Sequence, residues 1–102
     1  MATDTDVREA LRLVVDPEIG VNIVDLGLVY RIEVQDAHAR IAMTMTSPAC
    51  PLVDYLKDLD ISAIRHHVPD VVEVDVHVEW DPPWDPEMMS AEARRQLDEG
   101  ER

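Results

Sequence analysis

Apolar and polar positions alternate along this chain in two rhythms, one helical and one extended. Val7, Ala10, Leu11 and Val14 recur at helical spacing, and Asp6 followed by Glu9 has the form of a capping box, so a short amphipathic helix is predicted near the N-terminus. It stops before Asp16-Pro17, because a residue preceding proline avoids helical angles. Tyr30, Ile32 and Val34 then alternate with Arg31, Glu33 and Gln35, the period of a strand. Asp36-Ala37-His38 reads as a hairpin connection to a second strand over 40–46, in which Ile41, Met43 and Met45 alternate with Ala42, Thr44 and Thr46. Helical spacing returns at Leu52, Leu56, Leu59 and Ala63 and runs to about Val68, before Pro69-Asp70. A third strand over 71–80 puts Val72, Val74, Val76, Val78 and Trp80 on one face and Glu73, Asp75, His77 and Glu79 on a solvated one. Ser90 can cap a last helix carrying Ala93 and Leu97.

The predicted order is therefore α-β-β-α-β-α. The third strand returns to the sheet after a helical crossover, which a mixed three-stranded sheet with helices packed mainly on one face satisfies. The fold class is α/β (α+β), in one domain over 1–102 with frayed ends at about 1–5 and 98–102. Two segments break the rhythm. Residues 16–28 form a loop that is unusually apolar, with Ile19, Val21, Ile23, Val24, Leu26 and Leu28, and is expected to be packed and ordered, with Gly20 and Gly27 supplying unusual backbone angles. Asp81-Pro82-Pro83-Trp84-Asp85-Pro86 is too rich in proline for regular structure.

Composition sharpens the picture. Only four of the 102 residues are aromatic, and phenylalanine is absent, so the core must be aliphatic. Nine basic residues against 22 acidic ones give a net charge of −13, which repels phosphate backbones and anionic membranes. No nucleic-acid or membrane partner is expected. No apolar run approaches the roughly 18 residues of a membrane span. Residues 1–6 lack the basic and apolar regions of a secretory signal, so a cytoplasmic protein is expected.

The candidate chemistry converges on Cys50, the sole thiol, in Thr46-Ser47-Pro48-Ala49-Cys50-Pro51 at a strand-to-helix junction. With Pro51 at the first helical position, Cys50 would stand at or beside the N-cap, where the helix dipole favours a thiolate. The plainer alternative is a small buried apolar residue. None of His38, His66, His67 and His77 has a spacing that pairs it with Cys50, which argues against a cysteine hydrolase, and all four are expected on the surface. One thiol falls short of the four thiolates an iron–sulfur cluster usually takes, so no tightly bound cofactor is expected from one chain. Asp16, Glu18 and Asp25 read either as turn and capping carboxylates or as a cluster facing Cys50. Trp80, Pro83 and Trp84 read either as a rigid partner-binding surface or as a lid over a small core.

Taken together, Asp16-Pro17-Glu18-Ile19-Gly20, Val24-Asp25-Leu26-Gly27-Leu28-Val29-Tyr30, Met43 to Leu52, Trp80-Asp81-Pro82-Pro83-Trp84, and Ser90 with Arg94 resemble the SufT/PaaD-like family of metal–sulfur cluster assembly proteins, and most closely its stand-alone SufT-type members. The likeness runs from about Val7 to Leu97. It implies an accessory factor in iron–sulfur cluster assembly or transfer, working beside the sulfur-mobilisation machinery and client apoproteins, with no independent enzymatic activity. It also implies a pocket gathering Asp16, Glu18, Asp25, Thr46 and Cys50, to which Ser47 adds a hydroxyl, with Cys50 as a transient ligand of an iron–sulfur cluster. A homodimer would supply two thiols. The alternative is a non-catalytic interaction adaptor, supporting an oxygenase or other metalloenzyme, in which Cys50 is structural. The additional cysteine-rich C-terminal stretch common in the PaaD-type branch is absent, and Pro69-Asp70-Val71 replaces the Pro-Gly-Val often found in the family.

Overall fold

In the computed structural model, which describes residues 2–46 and 52–100, the opening helix α1 (Asp4–Leu11) is capped by Thr3. The Thr3 hydroxyl accepts from the Asp6 amide at 3.2 Å, and the Asp6 carboxylate accepts from the Thr3 amide at 3.0 Å. The capping box thus falls one turn earlier than Asp6–Glu9. This register sets Asp4 and Asp6 in the first turn, where the dipole favours negative charge, and directs Val7, Ala10 and Leu11 inward.

Strands β1 (Val29–Gln35) and β2 (His38–Met43) form the expected hairpin. Asp36 turns the chain with φ 55, a left-handed conformation that aspartate tolerates. The second strand ends at Met43, three residues before the predicted end. There the Glu79 amide makes its bond to the Met43 carbonyl (2.7 Å), and the Thr44 amide bonds the Leu28 carbonyl (2.7 Å). Helix α2 (Val53–His67) crosses back to β3 (Glu73–Val78), which pairs parallel to β2, so the sheet order is β1-β2-β3. A one-turn 3-10 helix (Pro86–Met88) precedes α3 (Ala91–Gly100), which Ser90 caps through the Ala93 amide at 3.1 Å.

Two local expectations are corrected. Leu52, not Cys50, occupies the N-cap of α2 and the helix begins at Val53, two residues beyond Pro51. Cys50 and Pro51 themselves lie outside the described residues, and the argument for an acidic thiol from a cap position falls away. Val72 and Trp80 were expected on the inward face of the third strand. Both lie just beyond the strand's ends and are 64% and 44% exposed.

The core is aliphatic. Leu11 from α1, Ile41 and Met43 from β2, and Leu56 and Ile64 from α2 are fully buried together with Ile23, Leu26 and Leu28 of the segment 16–28. That segment is an ordered layer, tied by a Val15–Asn22 bridge and turned at Gly20 (φ 83) and Gly27 (φ 80). Among the described residues no helix is long and apolar enough to cross a membrane.

Candidate functional site

The β2-α2-β3 crossover fixes where chemistry can gather. Because β2 and β3 run parallel with Met43 opposite Val78, their carboxyl ends lie on the same side of the sheet, and the crossover starts α2 there. This is the side on which open sheets of parallel strands commonly bind ligands. Thr46 and Leu52, the described residues that flank the segment holding Cys50, both stand at this end. Leu28 joins them through its bond with Thr44. Ser47 and Cys50 lie outside the described residues.

A strap following β3 closes over the same end. The Tyr30 hydroxyl donates to the Pro82 carbonyl and the Trp84 indole N–H donates to the Leu26 carbonyl, each at 2.7 Å. Trp84 is half-buried against the core and Pro83 is exposed. The two rings of the segment therefore differ: Trp84 anchors the strap to residues 23–28, while Trp80 presents its surface outward.

The acidic residues of the loop have separate engagements. Asp16 is buried at the start of a turn, with its side chain accepting from the Glu18 amide (2.9 Å) and its carbonyl from the Gly20 amide (2.7 Å). Glu18 is exposed on that turn. Asp25 is the centre of a clasp. One carboxylate oxygen accepts from the Arg12 guanidinium (3.0 Å) and the Ser90 hydroxyl (3.2 Å), the other from the Asn22 amide (2.7 Å). Its carbonyl also accepts from the Ser90 amide at 2.7 Å. Donation by Asn22 is the main reason its carboxyl is held below the usual value; burial opposes this, and Ser90 and Arg12 add to it. The clasp joins the end of α1, the loop and the cap of α3. Arg12 and Asn22 carry it as much as Asp25 does, and the spacing Asn22-x-x-Asp25, which lets each side chain reach the other's residue, was the signal for it.

Two buried polar groups escaped sequence reading. Asp60 is fully buried on α2, neither carboxylate oxygen hydrogen-bonded among the described residues, and burial pushes its carboxyl up to about 8. It is therefore neutral at pH 7. The signal was its place between Leu56 and Ile64 at four-residue spacing, on the inward stripe. The Thr44 hydroxyl is likewise buried without a partner among the described residues.

The sheet face opposite α2 is polar. His38 Nε2 lies 2.7 Å from Asp75, His77 Nε2 lies 3.0 Å from Glu79, and Arg31 bonds Glu79 across the buried Ala42. His66 and His67 are exposed and stack edge to face at 4.7 Å. Among the described residues no three histidine or carboxylate side chains converge as a metal ion would need.

These features define a small α+β domain of three helices and a three-stranded mixed sheet, with an ordered acidic loop clasped to its last helix. The chain belongs to the iron–sulfur cluster assembly protein family, whose model matches residues 4–76. It is 40% identical to an Fe-S protein maturation auxiliary factor, YitW, of Bacillus subtilis, over 91% of each chain. It is 37% identical to the Fe-S protein maturation auxiliary factor SufT of Staphylococcus aureus, over 80% of this chain and 93% of that one. The fold matches the crystal structure of a domain of unknown function, DUF59, from Bacillus anthracis with a TM-score of 0.91 at 40% identity, covering 93% of this chain and 91% of that one. The family and fold expected from the sequence motifs are borne out.

Proposed function

We propose that this chain is an accessory factor in the maturation of iron–sulfur proteins, with Cys50 supplying one ligand to a cluster in transit to a client apoprotein. The observation that carries the reading is the match along nearly the whole chain to maturation auxiliary factors, covering the segment that holds the only thiol. The placement of Thr46 and Leu52 on the side of the sheet where β2 and β3 end supports it, because ligands commonly bind on that side of parallel strands. The cluster is cargo. One thiol cannot complete its coordination, so the other ligands come from a second copy or from the client. Both the delivering machinery and the client are other proteins, met in the cytoplasm, and the chain needs no catalytic residue of its own.

The test is rescue of an iron–sulfur enzyme in cells lacking this protein. Wild-type chain restores the enzyme's activity and Cys50→Ser does not. Full restoration by Cys50→Ser would favour the adaptor reading, in which the thiol is structural and the exposed ring of Trp80 meets the partner.

A further inference from the structure

The edge of the sheet at β3 is unpaired among the described residues. β3 pairs with β2 alone, and among the described residues no strand lies on its other side. The Glu73 and Glu79 amides point toward β2, bonding Ala37 and Met43. By the alternation of a strand, the N–H and C=O groups of Val74, Val76 and Val78 point away from it and form an open ladder. The side chains of those valines are only half-buried under α2, whereas Ile41 and Met43 on the neighbouring strand are fully buried. Val72 and Trp80 extend the apolar border at the two ends, both exposed. On the opposite face the edge shows Glu73 and Asp75, more than two-thirds of whose side-chain surfaces is solvated, with the His38 ring beside both. Glu79 is already paired with Arg31.

We propose that the β3 edge receives an extended segment of a partner protein as a fourth strand, and that this segment alternates basic with apolar residues. Its backbone would complete the ladder of Val74, Val76 and Val78, its apolar side chains would continue the valine row, and its lysines or arginines would stand beside Glu73 and Asp75. Charge selects this occupant over a second copy. Two β3 edges would set acidic side chains against acidic ones between chains of net charge −13. Acidic residues also protect an open edge from self-pairing, and the same charges that exclude a like edge admit a basic one.

The test uses the full chain, labelled for amide resonances, titrated with a hexapeptide alternating lysine and valine. The amides of Val74, Val76 and Val78 shift and gain protection from exchange, those along β1 do not, and Trp80 fluorescence changes. Affinity falls with added salt. The exposed double variant Glu73→Lys with Asp75→Lys binds this peptide about tenfold more weakly and gains affinity for one alternating glutamate and valine. The proposal is overturned if those three amides are unmoved at millimolar peptide or if the double variant binds the lysine peptide undiminished. Protection of those amides by self-association without peptide would assign the edge to a second copy and overturn it equally.

Discussion

Asp25 does at the residue scale what an acidic motif residue is easily assumed not to do: it holds the chain together. Its carboxylate accepts from Arg12 after α1, Asn22 of its own loop and Ser90 at the cap of α3, adding side-chain bonds to the backbone bond between Ser90 and Asp25. Asp25→Ala should lower stability by about 1–3 kcal/mol, since it leaves several partly buried donors unpaired. A thermal scan checks this, with an expected drop of several degrees for a domain of this size. Because the folded carboxyl is held below its usual 3.8, its contribution is present above that value and is lost as pH falls through the still lower folded value. Asp25→Asn should therefore flatten the acid limb of the stability profile. The local half of the clasp is written in the Asn22-x-x-Asp25 spacing, but its link to Ser90, 65 residues away, is made only by tertiary folding. Asp60 was missed for a different reason. A carboxylate within a helix is read as outward-facing, and only its fourfold spacing with Leu56 and Ile64 sets it on the inward stripe.

At the scale of elements, the type and order of the three α-helices and three strands could be read from the sequence, because the periods of 3.6 and 2 report which face is buried, whereas the one-turn 3-10 helix at Pro86–Met88, which begins inside the proline-rich segment expected to be irregular, could not. The ends could not. The cap at Thr3, the start of α2 at Val53 and the end of β2 at Met43 are set by particular hydrogen bonds rather than by pattern. The packed loop was legible from its density of aliphatic residues, and its two glycines have the positive φ expected of them. Gly27 is the stricter, since a Cβ there would also collide with the backbone of Met88. Gly27→Ala should destabilise by about 1–3 kcal/mol and loosen the strap, seen as faster amide exchange at Met88 and Ser90. Helix α2 carries its own pH response through Asp60. Its folded pKa, about 8, is raised above the unfolded value, so its contribution is complete below about pH 4 and is lost progressively as pH rises to about 8. Asp60→Val should remove that slope and stabilise the chain at pH 8 by an amount of the order of a few kcal/mol. Denaturant unfolding at pH 5 and pH 8 checks it. An equal gain at both pH values would mean that Asp60 is solvated or paired in solution.

The whole molecule is one body clasped at Asp25, and the cluster proposed for Cys50 is its cargo. The loop, the strap and α3 lock together around Asp25 and Trp84, while the flanks of the cysteine-bearing segment stand at the carboxyl ends of the parallel strands. The net charge of −13 disfavours nucleic acid and favours basic protein surfaces as partners. The central claim is that Cys50 holds a cluster in transit, and the most direct measurement is anaerobic reconstitution with ferrous iron and sulfide, read by visible absorption, for the wild type and Cys50→Ser. The account predicts a sulfur-to-iron charge-transfer band in the wild type that is absent from the variant. A band of equal strength in both, or none in either, would contradict it.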